Sequence, residues 1–279
     1  MTVLLAGLCT VDLVQRVAEL PSPGEKVQSS SVEVAAGGPA TNAAVTVAAL
    51  GEAAVLVTAL GRHPLAELAR ADLTAHGVRV VDIAPEQAEP PAVSAVAVRD
   101  RDGERTVVSR NAGQNPGTVP SEMPDGVRAV LVDGHLPRLA LGVARWARDR
   151  GIPVVLDAGS WKPVLDELLP LVDIAACSAH FEAPGPGLRE RGVPTVVVTN
   201  GPRPVRWETA DDAGEIEVPE VRALDTLGAG DVWHGALVHG VGRFGLPELI
   251  RFANEVAAEK VRHVGPRAWV LPVGKLGVR

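Results

Sequence analysis

Short apolar runs alternate along the chain with stretches whose apolar positions recur every three to four residues. Val3–Cys9, Ala54–Leu60, Ala129–Val132, Val154–Leu156, Val172–Cys177 and Thr195–Thr199 are the short runs, and they predict buried strands. Ala40–Leu50 has apolar or small residues at 40, 43, 44, 47, 48 and 50, then Gly51, and predicts a helix with a glycine stop. Leu65–Ala75 closed by Gly77, Leu139–Arg150 closed by Gly151, Ala229–Val241 and Pro247–Val261 read as helices in the same way. Strands apolar throughout and separated by helices imply an α/β fold, a mainly parallel sheet covered by helices on both faces.

Two regions break this rhythm. Val27–Val34 and Ala92–Val108 alternate with a period of two, and Asp102-Gly103 supplies the turn of a hairpin. They predict a small antiparallel sheet inserted beside the body. The organisation is therefore one α/β domain over 1–279, with a discontinuous β lid from about 12–36 and 91–110. A sheet open on one face serves as a cover over a site, as a subunit surface, or as both.

The 279 residues suit one large domain, and 46% hydrophobic content suits a sizeable core. Aromatic residues make up only 3%, without a tyrosine, which argues against a stacking platform for single-stranded nucleic acid. The formal charge of −7 and the lack of a basic stripe make nucleic acid and anionic membranes poor partners. Cys9 and Cys177 lie far apart in apolar runs and read as buried thiols of a reducing compartment. No apolar run approaches the roughly 18 residues of a membrane span, so a soluble cytoplasmic protein is expected.

The densest chemistry lies in Leu224-Asp225-Thr226-Leu227-Gly228-Ala229-Gly230-Asp231. The helical period begins at Val232, so Gly228, Ala229 and Gly230 should form the first turn, with free amides and the positive end of the helix dipole. Glycines let an anion approach the backbone closely. Asp231 would stand beside that anion, where repulsion disfavours a carboxylate unless it takes a proton. Amides for a transferred phosphoryl group and a base for the attacking hydroxyl are the parts that phosphoryl transfer requires. A second motif, Ala36-Gly37-Gly38-Pro39-Ala40-Thr41-Asn42, opens another helix, with backbone exposed at Gly37 and Gly38 and an amide at Asn42 suited to hydroxyl groups. Asp12 lies just past the first strand.

With these motifs in order, the chain resembles the ribokinase-like (PfkB) carbohydrate kinases over nearly its whole length. Gly7-Leu8-Cys9-Thr10-Val11-Asp12 resembles the opening sugar-binding strand, Gly37–Asn42 the N-terminal signature and Asp225–Asp231 the C-terminal signature. The resemblance implies a Rossmann-like body with a β lid, and ATP-dependent phosphorylation of a sugar hydroxyl. It implies Asp231 as the base and Gly228, Ala229 and Gly230 as the anion hole. Asp12, Gly37, Gly38 and Asn42 fall at sugar-binding positions, and His135 with Arg138 at a substrate position. Thr199 and Gly201 fall beside the nucleotide phosphates and Asn254 near adenine. Asp225 and the Gly265 region match a monovalent-cation site. Mg²⁺ accompanies ATP, with Glu182 in its outer shell.

The chain also departs from the family pattern. An Asn-x-x-Glu motif becomes Ala179-His180-Phe181-Glu182, and the helix expected after it is cut short by Pro184–Gly187. Lys260 and His263 stand near the cation site, where a lysine amine could replace the cation. The stretch Trp161–Glu182 resembles the ketohexokinase and fructokinase branch, which favours a keto-sugar over ribose. Ala179 keeps open the alternative of a non-catalytic sugar- or nucleotide-binding protein, and the retained Asp231 argues against it. A nicotinamide-dependent dehydrogenase lacks support, because no three-glycine turn follows the first strand. A homodimer through the lid is the expected assembly.

Overall fold

The computed structural model describes residues 1–110 and 119–277. Its strands are β1 (Thr2–Ala6), β2 (Thr10–Val17), β3 (Ser29–Gly37), β4 (Ala53–Thr58), β5 (Val78–Asp82), β6 (Ala92–Arg99), β7 (Arg105–Arg110), β8 (Val127–Val132), β9 (Val154–Ala158), β10 (Ile174–Ser178), β11 (Thr195–Asn200), β12 (Arg203–Glu208) and β13 (Ala213–Ile216). Its helices are α1 (Pro39–Ala49), α2 (Pro64–Ala75), α3 (Pro137–Arg148), α4 (Leu165–Leu168), α5 (Ala229–Gly240), α6 (Leu246–Lys260) and α7 (Val270–Gly274).

Nine strands form the main sheet in the order β13-β12-β11-β10-β9-β8-β1-β4-β5. The seven from β11 to β5 run parallel, and the β12–β13 hairpin extends one edge antiparallel. Because side chains alternate across a strand, each apolar run supplies two cores. Val3 and Leu5 face one core with α1, α2, α5 and α6, while Leu4 and Ala6 face another with α3 and α4. This is the α/β architecture expected from the sequence.

Strand β1 is shorter than its apolar run. The chain turns out of the main sheet at Gly7, where the Asp133 carboxylate occupies the space a Cβ would need. It then enters β2 of a second sheet, ordered β3-β2-β6-β7. Asp12 is therefore not a residue just past the first strand but the third residue of β2. The β2–β3 and β6–β7 pairs are antiparallel as expected, but the central β2–β6 pair is parallel. The β6–β7 turn uses Gly103 at φ 72°. The small sheet is laid on the body by Val14, Val96 and Val98, against which Leu227 packs.

Strand β1 lies between β4 and β8, so the chain order reverses beside it. In open α/β sheets, ligands bind beyond the carboxyl ends of the strands at such a reversal. The Gly7 turn, the start of α1 and the start of α5 all gather there.

Candidate active site

Two helix starts frame the site. Helix α1 begins after Gly38, whose φ of 97° suits glycine and whose Cβ would lie 2.5 Å from the Leu8 carbonyl oxygen. Helix α5 begins after Gly228, which is left-handed at φ 72°. The two helices approach closely because Gly235 has no side chain: a Cβ there would lie 2.6 Å from Thr46 Cβ and 2.7 Å from the Ala43 carbonyl oxygen. That contact brings Asn42 and Asp231 together, and Asn42 Nδ2 donates to Asp231 Oδ2 at 2.8 Å.

In the first turn of α5 the Val232 amide makes a helical bond to the Gly228 carbonyl at 3.0 Å. The Gly230 amide precedes it and has no helical acceptor. A Cβ at Gly230 would meet nothing within 4 Å, so this backbone is open to a ligand. Ala229 differs from the expectation of three equivalent amides, since its N–H turns back to the Thr226 carbonyl at 3.2 Å.

Loss of hydration pushes the Asp231 carboxyl up to about 7, helped by the nearby Asp157 carboxylate and, more weakly, by Asp12. Asn42 and His234 pull it the other way. Asp12 is also raised, mainly by desolvation, while a hydrogen bond from Thr10 Oγ1 at 2.6 Å opposes the shift. Gly37 lies against Asp12, whose carboxylate fills the place of a Cβ. A carboxyl poised near neutrality in the first turn of a helix whose backbone is open at Gly230 suits a general base.

Several residues absent from the sequence reading complete the floor. Asp133 Oδ2 accepts from the Leu8 and Ala40 amides at 2.8 and 3.3 Å, and its Oδ1 accepts from the His135 amide at 2.9 Å. Asp157 lies one residue before the end of β9, in the same layer. Arg267 donates to Asn42 Oδ1 at 3.2 Å, to Asp72 and to the Ala36 carbonyl. His135 and Lys162 are half-buried, and burial lowers the pKa of both against the opposing pull of Asp133. A signal was present: the apolar runs at β5, β8 and β9 each lead into an aspartate, Asp82, Asp133 and Asp157. In adjacent parallel strands such residues meet at the carboxyl edge.

The other expected residues are dispersed. Arg138 is exposed in the first turn of α3. Thr199 lies near the end of β11 and Gly201 just after it, and the Ala179 amide donates to the Thr199 carbonyl at 2.8 Å, bringing the exposed Glu182 loop beside them. Asn254 is only 2% exposed, accepts from Trp233 Nε1 at 2.8 Å and donates to the Glu217 carbonyl at 3.0 Å. Its amide is thus used within the core.

Asp225 is held by protein groups, with Lys260 where the sequence suggested that an amine could replace the cation. It accepts from the Leu227 and Gly265 amides at 2.9 and 3.0 Å. Lys260, 1% exposed, places its ammonium 2.8 Å from the Asp225 carbonyl oxygen and 3.6 Å from Oδ1. A monovalent cation does not fit beside that ammonium. For a divalent ion, no three acidic, histidine or cysteine side chains converge among the described residues. The exposed Glu182 fits a magnesium ion that arrives with phosphate and water ligands.

The small sheet lies against this floor. Arg105 Nη1 donates to Thr226 Oγ1 at 3.1 Å, and Asp12, Val14, Asn42, Leu227, Gly228 and Lys260 line a cavity of about 20 Å³. That is room for about one water.

Comparison with known proteins agrees with this geometry. The family model described as pfkB family carbohydrate kinase matches residues 2–272. The ribokinase of Bacillus subtilis is 24% identical over 93% of this chain and 92% of its own length. An ATP-dependent ribose-1-phosphate kinase of Halopiger xanaduensis is 29% identical over 85% of this chain and 83% of its own. The fold is that of the Arabidopsis thaliana ribokinase solved with ribose and ATP, with a TM-score of 0.75, 22% identity and 98% of both chains covered.

Proposed function

The chain belongs to the pfkB family of carbohydrate kinases, and on that premise we propose that it moves the γ-phosphoryl group of ATP to a sugar hydroxyl with Asp231 as base. The observation that carries this reading is the pairing of a carboxyl raised to about 7 with the open Gly228–Gly230 turn. Asp231 takes the proton of the acceptor hydroxyl as that oxygen bonds to phosphorus. The bond to the β-phosphate oxygen breaks, and ADP leaves. The Gly228–Gly230 turn faces the charge that develops on the transferred group.

Asp12, Gly38 and Asn42 bind the sugar hydroxyls, with Arg267 holding the Asn42 amide in orientation. Glu182, through water, would hold magnesium, which neutralises phosphate charge when bound. Thr199 and Gly201 lie along the phosphates. The lid lifts to admit the sugar, parting Leu227 from Val14, Val96 and Val98, and closes to exclude water. Its outward face is covered by a second copy of this chain.

The names of both curated relatives point to ribose or its 1-phosphate, so the acceptor panel begins with those two, and with fructose because of Trp161–Glu182. An ADP-release assay over that panel tests the reading. Asp231→Asn should lower kcat by about 10² or more while nucleotide binding persists. Near-normal turnover in that variant would remove Asp231 from the mechanism.

A further inference from the structure

One turn below Asp231, on the same side of α5, lies a second buried pair. His234 Nδ1 is 3.1 Å from Asp157 Oδ2, and the two residues are 6% and 4% exposed. Among the described residues neither atom has a partner in good hydrogen-bond geometry, so the contact between them is one of charge. His234 Nε2 stands 3.2 Å from the Ala176 carbonyl oxygen at the far side of the ring. A carbonyl oxygen can only accept, and so can a carboxylate. With an acceptor at each nitrogen, the ring satisfies both contacts only as an imidazolium.

The rest of the buried face of α5 is apolar, with Val232, Trp233, Ala236, Leu237 and Val238. Taking an ion pair out of water is costly, and a packed apolar pair of similar volume is often as stable or more so. Stability alone therefore does not account for a histidine and an aspartate at this position. Their nearest ionisable neighbour on α5 is Asp231.

We propose that His234, held by Asp157, is a positioning residue of the reaction: a buried imidazolium one turn from Asp231 that keeps the Asp231 carboxylate charged. Asp157 sets the balance in the opposite direction, because its negative charge opposes a second one on Asp231. The pair thus adjusts the base from behind without touching substrate. The inference rests on the reading of Asp231 as base, but its first test does not.

The surrounding charges are few. Asp231 faces Asn42 of α1, Asp12 of β2, Asp157 of β9 and His234 of its own helix, with Lys260 of α6 further off. Asp157 faces His234, and also His135, Lys162 and the Cys177 thiol, which burial pushes up to about 12 and keeps neutral. Burial alone would lower His234, but Asp157, then Asp231 and the Ala176 carbonyl, more than offset it and raise it overall.

The test is a carbon-13 titration of aspartate-labelled protein, with the Asp231 carboxyl signal identified by its absence from Asp231→Asn. His234→Gln removes the positive charge and should raise the midpoint of Asp231 by roughly one unit or more. Asp157→Asn removes the negative charge and with it the partner that keeps His234 protonated, so the two losses oppose each other and the midpoint should move less than in His234→Gln; adding His234→Gln to Asp157→Asn should then change it little further. Melting curves confirm that each variant is folded, and a general loss of packing would not make the effect of His234→Gln depend on the presence of Asp157. A midpoint that stays in place in His234→Gln, or that His234→Gln raises as much without Asp157 as with it, would overturn the proposal. With the acceptor sugar from the panel, the acid limb of the pH profile of kcat/KM should follow the midpoints, and His234→Gln should recover activity at alkaline pH. If the midpoints move as expected but the acid limb does not, the base reading of Asp231 fails and the electrostatic coupling stands.

Discussion

At the scale of single residues, the carboxyls of the site are held at a cost to the fold. The Asp231 carboxyl rises from 3.8 to about 7 on folding, so the folded chain binds a proton that the unfolded chain has released between those values. Stability therefore falls as pH rises through that window. Asp231→Asn does not titrate, so it should melt above the wild type at pH 8, with the advantage vanishing toward pH 4. Equal melting temperatures across that range would show that the carboxyl is not strained. Asp12 and Asn42 divide the work differently. Each is held by protein partners, Thr10 for Asp12 and Arg267 for Asn42, and each has capacity left for a hydroxyl. Removing one partner of a buried hydroxyl contact costs about 1–3 kcal/mol. Asp12→Ala and Asn42→Ala should thus raise the KM for sugar far more than that for ATP. Equal effects on both substrates would count against the assignment.

At the scale of elements, α5 separates packing from chemistry along its own length. Gly235 is packed against α1, whereas Gly230 faces open space. A methyl group at Gly235 would collide with Thr46 and Ala43, and such overpacking typically costs about 1–3 kcal/mol. Gly235→Ala should lower the melting temperature and disturb the Asn42–Asp231 contact. Gly230→Ala should leave stability unchanged or slightly higher, since alanine favours a helix over glycine, yet reduce turnover by crowding the anion. Calorimetry and kinetics on the two variants check this, and similar behaviour in both would show that the first turn is only structural. The start of this helix was legible from Gly228 and Gly230, because a glycine pair before a 3.6-residue period has a local cause. The role of Gly235 was not, because the reason for it is a neighbour nearly two hundred residues away in the chain.

At the scale of the whole molecule, the order reversal at β1 decides where the site lies, and the lid decides what it meets. Strand register puts Val34, Leu13, Ala95 and Val108 in one row across the outward face of the lid. Val34 is 50% exposed and Val108 is 72% exposed. An exposed apolar row on a four-stranded sheet suits association with a second copy. Light scattering should give twice the 29.0 kDa chain mass, and Val108→Lys should return it to that of one chain. A wild type that scatters as a single chain would exclude the dimer and leave the lid as a cover only.

The alternation of strands and helices, the insertion of the small sheet and the two helix starts that frame the candidate site could all be read from the sequence alone. Those features are local: a period of two or 3.6, a glycine before a helix and a carboxylate in its first turn are written within about ten neighbouring residues. The tertiary structure alone decided which charges meet. It set Asp133 under the Leu8 amide, Asp157 behind His234, the Lys260 ammonium against Asp225 and the Asn254 amide inside the core. It also made Asp12 a residue of β2, since nothing in the apolar run from Val3 announces that the chain leaves one sheet for another at Gly7. The physical reason is range. Backbone preference and apolar periodicity act between neighbours in sequence, whereas desolvation and Coulomb interactions act between neighbours in space, and only the sheet order makes those neighbours.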